Sequence, residues 1–140
     1  MPTYVSTVTV NAPADQVLAF LRDIDNQHTW FPGNSESAVL DRDANGQCSK
    51  ARLTNDVKVA KDTFELDYTH NDQGFSWILT APTKIQKVNT GSWTVLDKGG
   101  KAEASYELTL ETTLPLPGFV QRKTVKDTAK NATSALVKQF

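Results

Sequence analysis

The residue types best suited to chemistry are few in this chain, and they are scattered. His28, Cys48 and His70 are the only soft metal ligands, and each sits in a different segment. A zinc site needs three or four convergent ligands, so this spacing predicts no metal. Cys48 follows the Asn45-Gly46 turn and has no base beside it in sequence, which makes it a passive residue and not a nucleophile. No Gly-x-Gly-x-x-Gly or Walker A pattern occurs, so nothing supports binding of nucleotide phosphates, and no cofactor is expected. Asn131-Ala-Thr133 matches a glycosylation acceptor but falls inside a helical pattern.

Polar groups that share a face with aromatic residues offer more. Asn55 and Asn89, with His70 at a strand end, have the strand parity of Phe64, Leu66, Tyr68, Phe75, Trp77, Trp93, Tyr106 and Leu108. Tyrosine hydroxyls and indole N–H groups need partners when buried. Apolar walls with a few convergent polar groups are the marks of a small-molecule pocket. Arg122 lies one helical turn before Val125. It either heads that pocket, where with an asparagine it would hold a carboxylate, phosphate or carbonyl head group, or it snorkels to water. Acid–base catalysis asks for more than this. Glu65, Asp67, Glu103, Glu107 and Glu111 all have outward parity, so the interior is expected to hold no carboxylate. A binding role is expected over a catalytic one.

The elements that must position these groups follow from hydrophobic period. Tyr4 to Val10 alternates as a strand; Pro13 then opens a helix carrying Val17, Phe20, Leu21 and Ile24, with Asp15 near its positive end. A second short helix or turn runs to Pro32-Gly33. From residue 35 to 111 the period is two. Ala51, Leu53, Asn55, Val57 and Val59 oppose Arg52, Thr54, Asp56 and Lys58, and similar runs are centred on Phe64–Tyr68, Phe75–Leu79 and Ala104–Leu110. Turn signals at Ala44–Gly46, Asn71–Gly74, Ala81-Pro82 and Lys98–Gly100 divide six antiparallel strands, and the N-terminal strand makes seven. A last helix from about Phe119 to Phe140 places Val125, Ala129, Ala132, Leu136 and Phe140 on one stripe that covers the sheet. Two alanines in that stripe leave space beneath the helix, to be filled by the sheet's aromatics or left as a cavity.

Composition bounds the function. The 140 residues fit one domain, 1–140, and carry a net charge of −1, without the basic excess of a nucleic-acid binder. No apolar run approaches the ~20 residues of a spanning helix, so no stable membrane insertion is expected. Met1 to Tyr4 does not open like a secretory signal. A single cysteine fits a reducing setting, so the expectation is a soluble cytoplasmic protein. The total conceals an asymmetry: residues 119–140 carry Arg122, Lys123, Lys126, Lys130 and Lys138 against Asp127 alone, a +4 helix on a −5 body.

Strand, two short helices, six-stranded meander and long helix is the order of the helix-grip fold, an α+β architecture in which the sheet wraps the C-terminal helix. Val10-Asn-Ala-Pro-Ala-Asp-Gln-Val-Leu-Ala-Phe-Leu21 resembles the opening of the START-like (SRPBCC) superfamily. Asp23-Ile-Asp-Asn-Gln-His-Thr-Trp-Phe-Pro-Gly33 resembles its Trp-x-Pro helix–turn. Gly91-Ser-Trp-Thr-Val95, Tyr106-Glu-Leu-Thr-Leu110 and Leu114-Pro-Leu-Pro-Gly-Phe119 look like its late strands and helix entry. The resemblance spans the chain and is nearest to the small bacterial polyketide cyclase/dehydrase or lipid-transport-like members. It implies a cavity for a small apolar or amphipathic ligand (lipid, isoprenoid or polyketide-like), lined by the residues above together with Val125 and Ala129. At that position in the fold Trp30 and Phe31 are expected either to border the entrance or to form a structural plug, and Phe119 and Val120, which point away from the helical stripe, are candidates for the other lip. Alternative roles in the superfamily are a polyketide aromatase/cyclase and a chaperone- or ribosome-associated interaction module.

Overall fold

Alternation becomes strand wherever a polar turn lets the chain reverse. The structure, a computed structural model, describes residues 2–57 and 60–140; Lys58 and Val59, which close the run expected from Ala51, lie outside the described residues. β1 (Thr3–Val10) turns Tyr4, Ser6, Val8 and Val10 inward and leaves the residues between them exposed. Pro13 caps α1 (Ala14–Arg22) with φ −61°, and the helix buries Val17 and Leu21. A 3-10 helix (Ile24–Thr29) follows and seals Ile24 completely.

The meander is β2 (Asn34–Arg42), β3 (Cys48–Val57), β4 (Ala60–Asn71), β5 (Gly74–Leu79), β6 (Gln86–Asp97) and β7 (Ala102–Thr112). Each strand pairs antiparallel with the next, and β1 returns to pair with β7, giving the order β1-β7-β6-β5-β4-β3-β2. The β6–β7 turn needs glycine. Lys98 N–H donates to the Lys101 carbonyl at 2.8 Å across Gly99 and Gly100, whose φ angles of 68° and 91° disfavour L side chains.

α2 (Gly118–Val137) lies across β1 and β7 and buries Val125, Ala129, Ala132, Thr133 and Leu136. Ala129 and Ala132 are sealed at 0% exposure, and the Thr133 hydroxyl meets Ser6 Oγ at 2.8 Å. The small side chains therefore bring this half of the helix down onto the sheet, and the empty space lies elsewhere. Three expectations are corrected here. The helix ends at Val137, and Phe140 leaves the stripe to pack edge-on against Phe20 at 5.3 Å. Arg122 is exposed and snorkels to the surface: its side chain folds back toward Gly118, beside Pro2 and Glu111, and does not line the cavity. Ala129 seals the helix–sheet contact and does not line a cavity.

Candidate functional site

The cavity, about 420 Å³, opens between the concave face of the sheet and the first half of α2. Strand parity builds its wall. Leu53 and Asn55 from β3, then Phe64, Leu66 and Tyr68 from β4, share one face with Phe75 and Trp77 of β5. Trp93 on β6 and Tyr106, Leu108 and Leu110 on β7 continue it. Gln121, Thr124, Val125 and Thr128 form the helix side, and Gln27, Phe31, Ile85, Leu114 and Leu116 complete the outline. The aromatic rings interlock: Trp93 and Tyr106 sit 4.6 Å apart, and Trp77 and Tyr106 5.6 Å. Trp77 lies flat against Gly91, where any β-carbon would come within 2.4 Å of the indole and 2.5 Å of the Glu107 carbonyl oxygen.

Burial sets the electrostatics of the aromatic end. Desolvation raises both the Tyr68 and Tyr106 phenols well above their ordinary range, so they are neutral hydroxyls at any physiological pH. They border the cavity without a hydrogen-bond partner among the described residues, ready to donate to a guest. Cys48, just behind this end, is pushed up to about 11 by burial. His70 is not part of the wall; its Nε2 meets the Cys48 carbonyl at 2.7 Å and its ring stacks on Phe75.

The other end is polar. Asp62 is 7% exposed, and its Oδ2 accepts from Gln86 Nε2 at 2.8 Å and from Thr83 Oγ1 at 3.0 Å. Gln86 Oε1 accepts from Asn89 Nδ2 at 2.9 Å, and Asn89 Oδ1 from Trp77 Nε1 at 3.1 Å. Four side chains from β4, β5 and β6 thus form one hydrogen-bonded row along the wall. Asn55, directly across from Asp62, also borders the cavity and accepts from Asn34 Nδ2 at 3.3 Å.

Of the residues expected at the site, Asn55, Phe64, Leu66, Tyr68, Trp77, Asn89, Trp93, Tyr106, Leu108 and Val125 are brought together on this cavity. Trp30 is not; it backs the wall, wedged between Phe20 and Phe31 with its ring 6.4 Å from Trp93. Arg122 shares a separate surface hollow with Glu111 and Gly118. Phe119, expected at the lip, is 68% exposed and does not border the cavity. The expectation of an interior without carboxylates is overturned by Asp62. Its strand was read only from Thr63 onward, and extending the parity of Phe64 back by two residues reaches it. Glu111, expected outside, borders the cavity edge where the β6–β7 register slips between Gln86 and Val88. Gln86 and Thr83 carried no periodic signal: Thr83 belongs to the link between β5 and β6, and Gln86 is the first residue of β6, ahead of its register shift. Among the described residues no group of three or more His, Cys, Asp or Glu is placed to hold a metal.

Fold and site together define a class: a wide antiparallel sheet gripping one long helix, with an aromatic chamber between them. The family model described as polyketide cyclase / dehydrase and lipid transport matches residues 1–140, and the chain belongs to that family. A START superfamily protein from Mycobacterium smegmatis superposes with TM-score 0.90 at 19% identity, covering 98% of this chain and 95% of that one. The Zhui aromatase/cyclase from Streptomyces sp. R1128 gives 0.79 at 18% identity, over 97% and 88% of the two chains. A STAR-related lipid transfer protein from Xanthomonas axonopodis gives 0.74 at 18%, over 98% and 84%. At these identities the likeness is one of fold. No curated protein matches the chain in sequence.

Proposed function

We propose that this protein binds a small apolar or amphipathic molecule, of lipid, isoprenoid or polyketide-like character, between the sheet and α2. The observation that carries the reading is the cavity itself: about 420 Å³, walled by interlocked aromatics, with a single polar end. That size lies within the ~300–1,000 Å³ typical of ligand pockets. Family membership and the fold shared with a lipid transfer protein support it. The cytoplasm is the proposed setting, on the strength of the lone, buried Cys48. No helix among the described residues is long and apolar enough to cross a membrane, and with a net charge of −1 no nucleic-acid partner is proposed.

A neutral naphthylamine dye, which brightens in apolar surroundings, tests the reading. Titration is expected to give low-micromolar binding. Thr128→Trp, which fills the chamber from its helix side, is expected to weaken the dye at least about tenfold while leaving the unfolding midpoint in place. Absence of dye binding to the parent protein, and to a broad lipid panel, overturns the proposal.

One observation favours a second reading, catalysis of cyclisation as in an aromatase/cyclase. Asp62 places a carboxylate in the same chamber as the Tyr106 hydroxyl, which are the group types that proton transfer during an aldol closure requires. A cyclisable poly-β-keto substrate that reacts no faster with the protein than in buffer removes this reading and leaves the first intact.

A further inference from the structure

The polar row has a direction, and the direction fixes what its last member still lacks. The Trp77 indole can only donate, so Asn89 must turn its oxygen to it and its nitrogen toward Gln86. Gln86 is then left to donate from Nε2 to Asp62 Oδ2. Thr83 Oγ1 already accepts the backbone N–H groups of Ile85 and Gln86 at 3.1 and 2.9 Å, so its one proton goes to the same carboxylate oxygen. Oδ2 has both its donors. Oδ1 has none among the described residues, although Asp62 is nine-tenths buried and borders the cavity. No Lys, Arg or His among the described residues lines the chamber, and the second acid at its edge, Glu111, is paired with Lys87 at 3.8 Å, which leaves Asp62 as the acceptor without a cation.

We infer, building on the ligand-binding reading above, that the chamber selects apolar molecules ending in a hydrogen-bond donor, an alcohol or an amine, and rejects those ending in carboxylate or phosphate. The donor head completes Asp62 Oδ1 while the apolar body lies against Trp93 and Tyr106. An anionic head would leave that oxygen without a donor and would set a second negative charge beside the first, with no cation to offset either. This reverses the preference expected when Arg122 was read as the anchor, because Arg122 lies outside the chamber.

The test is competition against the bound naphthylamine dye by decanol, decylamine and decanoate at neutral pH, three molecules with the same tail. Decanol and decylamine are both expected to displace the dye at concentrations at least about tenfold below decanoate. If decylamine alone does so, and added salt erases its advantage, the attraction is one of charge and not of donation, and the inference fails for alcohols. Decanoate competing as well as decanol overturns it entirely, and this ranking in the parent protein requires no variant. Asp62→Asn supplies the second arm: with displacement read relative to the variant's own dye affinity, the spread between decanol and decanoate is expected to narrow to within about threefold. An unchanged spread in Asp62→Asn also overturns the assignment to Asp62. Failure of the dye itself to bind rejects the cavity reading, and the inference with it.

Discussion

Three weak acids are held at the residue scale in surroundings that resist their ionisation. Cys48, Tyr68 and Tyr106 are all within 8% of complete burial, and desolvation raises each one. For the thiol the shift runs from 9.0 to about 11. Below the unfolded value both states keep the proton, and the full contribution to stability is present. Above it the unfolded chain releases the proton first, so stability falls as pH climbs from about 9 to about 11, where the folded thiol ionises as well. The two phenols act in the same direction at higher pH. Urea midpoints measured from about pH 8 to about pH 11 are therefore expected to fall steadily, and a flat profile would show that these groups are not desolvated. At this scale the sequence was readable only where a residue belonged to a clean alternating run. Tyr106 and Trp93 could be placed by parity. Asp62 could not while its strand was begun at Thr63, and Gln86 carries a role that depends on a loop whose course no periodicity records.

Between elements, the two halves of α2 perform different tasks. The C-terminal half is a fastener: Ala129, Ala132 and Leu136 are sealed, and Thr133 bonds to Ser6 on β1. The N-terminal half stands off the sheet, and Gln121, Thr124, Val125 and Thr128 face empty volume. Enlarging a side chain should thus have opposite consequences along one helix. Ala132→Leu forces added volume into a closed contact and is expected to cost about 1–3 kcal/mol in urea unfolding. A change within about 0.5 kcal/mol would mean that the helix does not close on β1 as described. The helical stripe was legible from residue types, and Val125, Ala129, Ala132 and Leu136 are buried as that spacing demands. Which side of the stripe holds the void was not. Small residues allow either a gap or a close approach, and only the partner surface decides between them.

For the whole molecule, the even charge balance conceals a functional asymmetry of a different kind from the one read off the sequence. The basic α2 and the acidic sheet were expected to be its poles, yet every ion pair among the described residues sits at the exposed surface, where such contacts contribute little. The asymmetry that bears on ligands is inside, between an aromatic end with neutral hydroxyls and an acceptor-rich end at Asp62. Strand number, the meander of six and the helix that closes the sheet were readable beforehand, because period-two runs and turn residues dictate them locally, whereas the return of β1 to β7 is a long-range pairing. The polarity of the chamber arises from hydrogen bonds between residues far apart in sequence, and it had to await the fold. The central claim is that the chamber is occupied in use. Native mass spectrometry of protein purified without detergent tests it most directly. A population heavier than the polypeptide by the mass of one small apolar molecule is expected, released on gentle activation and absent from Thr128→Trp. A polypeptide mass alone, unchanged after incubation with decanol and a broad lipid panel, would contradict it.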